Sequence, residues 1–530
     1  MPAEDGEAVS AISELSEFVK WTNKSAFKYH SCLSIEKTPE KGIGLFFDIN
    51  QHLENDLEIL RVPKKFTFDY HSLLEILDNL KKYDAHKDDS EMRESAVLVE
   101  LLKACEPANE TEILICYFWG FRFLYEFKKK NTTYFVDSPL RIFDKYLEIL
   151  CLTQTTAYPP TNFYSSDKFL QKLVKNAKKL KIKYSNVSDT LNALKFSELV
   201  SFDMFYQIES AVKSRTLEIP SKSEDVDDNE DDYFVNVTLV PVLDFANHSH
   251  HSNAYFDVDI YSGDILLKLK PTNIIGKLEV TISYSEIESI QHFVDTYGFI
   301  PQLSDYDFQL FELNLNLTNS MKELPNANKI CKWLRILPQV QIVLNSKATY
   351  LDFFNNPLPL LFIKGLSYNS NWQNIAIDEF ERLYDTQVED ENRDIIMDYF
   401  KYQEEECDTI NGVGTIGVYY KKEPFRVETF GIWSDENHNL LDDLKCKCID
   451  LVLVEAELQR MDKIQSEAKS SFVDLARAYL SYKSKLMNRL LESDKKTLDL
   501  PVQLAKSEWQ DFRTLPREVD VTSLLDSLSQ

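Results

Sequence analysis

Apolar residues recur at helical spacing along much of the first half of the chain. From Ile12 to Val19 they follow the three- and four-residue steps of an amphipathic helix, which predicts a helix over residues 10–21. The same periodicity occurs between residues 70 and 215, in HSLLEILDNLKKY, EILICYFWGFRFLYEFKKK, LRIFDKYLEIL and SSDKFLQKLVKNAKKL. These segments predict a block of successive helices.

Strand patterns lie on both sides of this helical block. Before it, CLSIEKTPEKGIGLFFDI and LEILRVPKKFTF predict strands with a glycine-containing turn. After it, strands are predicted over residues 233–284. Residues 221–232, SKSEDVDDNEDD, hold seven carboxylates and almost no apolar side chains, so we expect a solvated loop there.

Beyond Pro301 the strand patterns disappear over long stretches. A long helical pattern then begins near residue 449 and is broken at most once. Its apolar residues recur at steps of three and four, which predicts a single buried face. The residues of this face are Phe472, Leu475, Tyr479, Tyr482, Leu486 and Leu490.

The length and the net charge of the chain limit the number of domains and the kinds of binding partner to be expected. A chain of 530 residues exceeds what one hydrophobic core fills, so we expect at least two domains. The formal net charge of −27 disfavours direct binding to nucleic acid, because phosphates are neutralised by Lys and Arg. A basic protein partner fits better, since opposite charges speed encounter. Solubility alone, without any charged partner, would also explain this net charge.

The eight cysteines are too sparse for a disulfide scaffold. The first residues are acidic and lack an apolar signal core, and no run of about 18 apolar residues predicts a membrane span. We therefore expect a cytoplasmic protein, with the nucleus as an alternative, and no membrane contact. Cys446 and Cys448 have no third cysteine nearby, and His250 and His251 have no accompanying ligand set, so no metal site is expected.

The strongest chemical pattern is the DFANHS run at residues 244–249, which contains the Asn247-His248 pair. Tyr284 in VTISYS and Tyr297 in YGF follow it. Together these motifs resemble the cofactor and lysine pocket of SET-domain methyltransferases. The similar branch includes the plant Rubisco large-subunit lysine methyltransferase and the fungal ribosomal-protein and elongation-factor lysine methyltransferases.

The resemblance implies an α+β fold. After an N-terminal helix over residues 1–24, a SET domain would span residues 25–300, with small sheets and a knot-like C-terminal crossing. A helical insert over about 70–215 would interrupt this domain. A mainly helical substrate-binding domain would follow over residues 301–530, and we expect a monomer.

The resemblance also implies site residues, without a metal. S-adenosyl-L-methionine would be bound by Gly42, Ile43, Gly44, Arg215, Asn247, His248, Tyr284 and Phe299. The protein substrate would be bound by Arg215, Asp244, Tyr255, Tyr284 and Tyr297, and a shift of one residue would put Phe256 in the place of Tyr255. Tyr284 and Tyr297 would be the catalytic pair.

Tyrosine hydroxyls suit transfer of a methyl group to lysine. The amine must be neutral, and a free lysine with a pKa near 10.4 is neutral in roughly one molecule in a thousand at pH 7. Desolvation and a nearby cationic sulfonium favour the neutral form. Hydroxyls and carbonyls can then orient the lone pair without adding charge.

Two residues shortly after Tyr284 depart from the pattern of the similar enzymes, as does Ile43, which stands where Arg is frequent. Ser285 stands where Gly or Asp is common, and Ile290 stands where Asn is common. The main hypothesis is a lysine N-methyltransferase that acts on a non-histone protein, namely a ribosomal protein or a translation factor, with cytochrome c as a further candidate. The alternatives are a histidine methyltransferase of the same fold and a binding protein that has lost catalysis.

Overall fold

The computed structural model describes eighteen stretches of the chain. They are residues 4–38, 42–87, 93–130, 138–150, 153, 156–193, 201–222, 233–285, 288–305, 308–317, 327–333, 336–353, 358–363, 366–369, 417–420, 423–424, 438–466 and 468–500.

Two four-stranded sheets combine strands from either side of the helical block. The strands before the block are β1 (Lys28–Tyr29), β2 (Leu33–Thr38), β3 (Gly42–Ile49) and β4 (Leu57–Val62). Those after it are β8 (Asn247–His248), β9 (Ala254–Val258), β10 (Ile265–Leu269) and β11 (Gly276–Ile282). The sheet orders are β1-β4-β10-β9 and β2-β3-β11-β8, and every pairing is antiparallel except the parallel pair β8–β11. The predicted strands are thus confirmed, except that LEILRVPKKFTF is a strand only to Val62 and forms a 3-10 turn over Lys64–Phe66.

The helical block contains most of the early helices. After α1 (Glu4–Lys24) come α2 (Tyr70–Asp84), α3 (Glu94–Cys105), α4 (Glu110–Lys130), α5 (Asp144–Leu150), α6 (Lys168–Ala193) and α7 (Phe202–Lys213). Short 3-10 turns occupy Lys64–Phe66 and Pro139–Phe143. The four predicted segments are confirmed as helical, and the predicted N-terminal helix is longer than its apolar pattern.

Local capping explains where two of these helices begin. The Asp69 carboxylate accepts from the Ser72 backbone, and the Ser72 hydroxyl accepts in return from the Asp69 backbone, so two otherwise unpaired amides at the start of α2 are satisfied. The Ser201 hydroxyl caps α7 in a simpler way by accepting from the Met204 amide. The predicted acidic loop begins inside the strand pair β6 (Thr216–Lys222) and β7 (Tyr233–Leu239), and the rest of it lies outside the described residues.

The C-terminal half contains helices and small sheets. Its helices are α8 (Ile290–His292), α9 (Ala327–Trp333), α10 (His438–Gln459) and α11 (Ser471–Glu492), with 3-10 turns at Leu358–Phe362 and Lys495–Thr497. An antiparallel sheet of β12 (Gln309–Asn314), β13 (Gln339–Leu344) and β14 (Thr349–Asp352) was missed by the sequence pattern. Further short strands of this half are β15 (Leu366–Asn369), β16 (Gly417–Tyr420), β17 (Glu423–Pro424) and β18 (Ile464–Gln465). The strand β18 pairs with β5 (Tyr164–Ser165) from the first half.

Two large clusters of buried apolar residues hold these elements together. The first surrounds α2 to α5 and the inner faces of the two four-stranded sheets. The second contains the inner face of α11, and Phe472, Tyr479, Leu486 and Leu490 are buried there as predicted. Leu475 and Tyr482 are half-buried against it. In the described part of the chain, none of the helices is both long and apolar enough to span a bilayer.

Candidate functional site

The strand order β3-β11-β8 brings three distant segments into one row. Leu45 pairs with Val280, so Gly44 lies next to Thr281, and Thr281 pairs with Asn247. The Asn247 side-chain amide donates to a Glu279 carboxylate oxygen at 2.8 Å. A Cβ on Gly44 would lie 3.0 Å from the Asn247 amide nitrogen. A side chain at Gly44 would therefore displace Asn247, which explains the glycine in physical terms.

His248 follows on β8 and is held by the backbone of Tyr284. The Tyr284 amide donates to His248 Nδ1 at 3.1 Å, so in neutral His248 the proton resides on Nε2. Burial lowers the pKa of His248 to about 4, with a smaller contribution from neighbouring His250. His248 Nε2 is buried and has no hydrogen-bond partner within the described residues. The site therefore contains a neutral imidazole with one unused donor.

An aromatic wall stands beside His248. The ring centroid of Tyr284 lies 5.3 Å from His248 and 4.7 Å from Tyr297. The Phe299 ring lies 6.0 Å from His248 and 6.2 Å from Tyr297. Phe293 completes the wall, at 4.9 Å from His248 and 5.4 Å from Tyr297. The predicted residues His248, Tyr284, Tyr297 and Phe299 therefore meet in space.

A turn of π-helix carries Tyr297 into this group. It spans Phe293–Tyr297 and ends at Gly298, whose φ of +75° is readily adopted by glycine. Such turns add one residue to a helix and re-aim the side chains at its end. The left-handed Gly298 follows this turn, and the rings of Tyr297 and Phe299 on either side of it both contact Phe293.

The hydroxyl groups of both tyrosines are neutral near pH 7. Burial raises the pKa of Tyr284 to about 12 and raises that of Tyr297 further. The Tyr284 hydroxyl donates to the Ala246 carbonyl at 3.0 Å. Such a hydroxyl is suited to accept from, or orient, an amine through its oxygen, and it is a poor base.

Arg215 and Asp244 form a second polar group next to the aromatic wall. Arg215 Nη1 donates to the Asp244 backbone carbonyl, and the guanidinium lies 5.6 Å from the Phe245 ring centroid. The Asp244 carboxylate accepts from the Tyr146 hydroxyl at 2.9 Å. Burial raises the pKa of Asp244 to about 6, although Arg215 and the Tyr146 hydrogen bond oppose this. Asp244 is only 6% exposed, so it faces the interior.

The structure does not bring every predicted residue to this group. Tyr255 lies on β9 in the other four-stranded sheet, where its hydroxyl donates to Asp56 at 2.6 Å, and in the described part of the chain no ring contact joins it to Tyr284. Phe256, its alternative, packs against the first apolar cluster. Gly42 has a φ of +74° at the start of β3, and Ile43 is buried in the first cluster. The substrate role of Tyr255 stays a prediction.

Sequence reasoning missed three residues that shape the site. Glu279 receives the Asn247 amide, Phe293 completes the aromatic wall, and Tyr146 holds Asp244. Phe293 lies four residues before Tyr297, which is a usable signal on a helix. Glu279 could have been found from strand pairing, whereas Tyr146 had no local signal because 98 residues separate it from Asp244.

The two departures from the family pattern have structural roles. Ile290 begins α8 and is buried in the second apolar cluster, so an apolar side chain suits its environment. The Ser285 hydroxyl accepts from the Glu288 amide at 3.2 Å, shortly before α8. His250 and His251 are engaged with Gln309 and Ser304. Within the stretches that the structure describes, no group of three or more metal-ligating side chains converges.

Comparison with known proteins places these residues in a family context. The model of the family "Cytochrome c lysine N-methyltransferase 1" matches residues 14–510. The chain is 31% identical over 357 residues to cytochrome c lysine N-methyltransferase 1 of Eremothecium gossypii, covering 63% of this chain and 70% of that protein. The Saccharomyces cerevisiae protein of that name is 26% identical over 371 residues, covering 64% of this chain and 59% of its own length. The Kluyveromyces lactis protein of that name is 27% identical over 321 residues, covering 57% and 60%.

The chain also aligns with solved structures. The SET domain of LSMT bound to lysine and AdoHcy aligns with a TM-score of 0.42 and 15% sequence identity, covering 98% of this chain and 99% of that one. Rubisco LSMT bound to AdoMet gives the same TM-score and identity, covering 97% and 99%.

Proposed function

This chain belongs to the family of cytochrome c lysine N-methyltransferase 1, and on that premise we propose that it methylates a lysine of cytochrome c with S-adenosylmethionine as methyl donor. It is a protein-lysine methyltransferase, as the motifs predicted. The observation that carries the proposal is the family match over residues 14–510, which includes every predicted site residue.

The substrate proposal differs from the first choice made from the sequence. The sequence motifs favour a ribosomal protein or a translation factor as the substrate. Neither is supported by the relatives, whose names specify cytochrome c. Cytochrome c was the further candidate. It is a basic protein, and the net charge of −27 on this chain favours its encounter electrostatically.

The residues around Asn247 fit a methyl donor with polar ends. The Asn247 amide and the unused His248 Nε2 offer hydrogen bonds, and Gly44 leaves free the space that the Asn247 amide occupies. We assign these three residues to cofactor binding. When bound, S-adenosylmethionine supplies an electrophilic methyl group on a cationic sulfonium.

The tyrosines would prepare the lysine amine. Tyr284 and Tyr297 are neutral and their rings contact each other at 4.7 Å, so together they can present one aromatic face to the apolar stem of a lysine. Their hydroxyl oxygens can direct the amine lone pair without stabilising the ammonium by a full negative charge. Arg215 and the Asp244 carboxylate lie nearby with opposite charges, so they largely offset each other at pH 7. Cytoplasmic location stays a prediction.

A substrate panel tests the proposal. The purified full chain is incubated with S-adenosylmethionine and, separately, with cytochrome c, a ribosomal-protein mixture and a translation elongation factor. We expect mass spectrometry to find methyl groups on one lysine of cytochrome c only. As a matched control, cytochrome c with that lysine replaced by arginine should remain unmodified. Methylation of another panel member with unmodified cytochrome c would overturn the substrate.

A further inference from the structure

Tyr146 is a buried polar residue for which the proposed mechanism has no role. It lies on α5, in the helical block, and is fully buried. Its ring packs against Phe18, Phe68 and Phe118, with ring centroids 6.4, 5.6 and 6.1 Å away. These apolar contacts fix the ring on several sides. Its hydroxyl points out of this aromatic shell and donates to Asp244 Oδ2 at 2.9 Å.

Asp244 belongs to the tight turn that precedes the Asn247-His248 pair. This 3-10 turn spans Leu243–Phe245, and the Ala246 amide closes it on the Leu243 carbonyl at 2.9 Å. The Ala246 carbonyl is the acceptor for the Tyr284 hydroxyl. One turn therefore carries both the partner of Tyr146 and the partner of Tyr284.

The turn begins in a strained conformation. Val242 has φ +77° and ψ −50°, which is a rare backbone geometry for a β-branched residue, and it is fully buried. Such a conformation persists only when surrounding contacts hold it. The contacts on the far side of the turn are the Tyr146 hydrogen bond and the bond from Arg215 Nη1 to the Asp244 carbonyl.

We propose that Tyr146 is a positioning residue: its hydroxyl fixes the Asp244 carboxylate and thereby the turn whose Ala246 carbonyl orients Tyr284. This inference rests on the proposed methyl transfer at Tyr284. It assigns a function to the helical block, because α5 then contributes to the geometry of the site through one hydrogen bond.

The charge of Asp244 makes this role measurable. The carboxylate is buried, its pKa is near 6, and its Oδ1 has no hydrogen-bond partner within the described stretches. The ionisable groups that face it are Arg215 from the end of the α7 segment, Tyr146 from α5 and Tyr284 from the segment after β11. Arg215 and the Tyr146 hydroxyl both favour the carboxylate. Loss of the hydroxyl would raise the pKa of Asp244, so protonation would occur at higher pH.

The test compares Tyr146→Phe with a matched control in the same helical block. Tyr117 is also buried in the first cluster, and its hydroxyl has no partner among the residues described, so Tyr117→Phe removes a hydroxyl without touching Asp244. For Tyr146→Phe we expect kcat to fall about 10-fold with little change in KM. The acid limb of the kcat–pH profile should move up by about one pH unit. Tyr117→Phe should keep the wild-type profile.

Asp244→Asn provides a second variant. Its side-chain oxygen can still accept from Tyr146, but it cannot titrate, so the acid limb assigned to Asp244 should vanish. An unshifted limb in Tyr146→Phe would overturn the inference, as would the survival in Asp244→Asn of an acid limb with the wild-type midpoint near pH 6.

The inference can be separated from the substrate proposal. If wild-type protein transfers no methyl group to cytochrome c, the proposed substrate is wrong. The affinity for S-adenosylmethionine, measured by calorimetry between pH 5 and 8, then replaces kcat as the readout. The midpoint at which affinity falls on acidification should be higher in Tyr146→Phe than in wild type and Tyr117→Phe. Identical midpoints would overturn the positioning role.

Discussion

His248 has a different protonation state in the folded and the unfolded chain at mildly acidic pH. Its pKa is near 6.5 when solvated and about 4 in the folded protein, because burial disfavours the imidazolium. Between these values the unfolded chain takes up a proton that the folded chain does not. Stability linked to His248 is therefore fully present above pH 6.5 and is lost as the pH falls towards 4.

This linkage gives a prediction for His248→Gln. The wild-type free energy of unfolding should fall between pH 6.5 and 4 by on the order of 1 kcal/mol more than that of the variant, after allowance for partial exposure. Urea unfolding at several pH values measures the difference. His52→Gln, at an exposed position, is the matched control and should follow wild type. Parallel curves for His248→Gln and wild type would contradict a buried neutral imidazole.

Residues in the DFANHS run and the YGF motif could be placed from the sequence because their chemistry is local and distinctive. The structure brings Gly44, Asn247, His248 and Tyr284 together, as their assignment to one pocket requires. Tyr146 could not be found in this way. A buried tyrosine on an apolar helix has the same sequence pattern whether its hydroxyl is unpaired, as in Tyr117, or bonded to Asp244.

At the level of elements, long periodic segments were predictable and short ones were not. Apolar residues at steps of three and four predict the helices α4 and α11 from the sequence. The strand β8 is only two residues long, which is too short to show alternation of apolar and polar residues, although it carries Asn247 and His248. The strands β12 to β14 were missed because a short apolar run is compatible with a buried strand or a helix.

A buried ion group ties two distant elements together. Lys483 on α11 is 3% exposed and donates to Asp167 at 2.6 Å and to Asp462 at 2.8 Å. The other oxygen of Asp167 accepts from the Leu170 amide at 2.8 Å and so caps α6. One carboxylate thus serves as a helix cap and as the partner of a buried cation.

Removing this carboxylate should be costly. Asp167→Ala is expected to lower the free energy of unfolding by about 3–5 kcal/mol, because it leaves Lys483 buried beside a single carboxylate. Asp167→Asn should cost less, since the amide oxygen can still cap α6. Asp474→Ala, which breaks the exposed pair with Arg477, should cost under about 1 kcal/mol. Denaturant unfolding measures all three, and equal losses for Asp167→Ala and Asp474→Ala would refute the account.

Across the whole molecule, the second apolar cluster joins early and late parts of the chain. It contains Phe163, Leu170 and Leu173 from the helical block as well as Ile290 and Val294 from the segment that carries Tyr297. The helix α11 therefore packs against residues on both sides of the predicted boundary at residue 300. Segments from both sides of residue 300 share buried contacts here, and the position of that boundary stays a prediction.

The most direct test of methyl transfer at Tyr284 is a single-turnover reaction of the full chain with cytochrome c and S-adenosylmethionine. Tyr284→Phe keeps the ring that packs on His248 and Tyr297 and removes only the hydroxyl. We predict that wild type methylates one lysine. Tyr284→Phe should methylate it at a rate that is lower by about 10²-fold or more, with cofactor affinity nearly unchanged. Methylation by Tyr284→Phe at the wild-type rate would show that Tyr284 only packs and that methyl transfer occurs elsewhere.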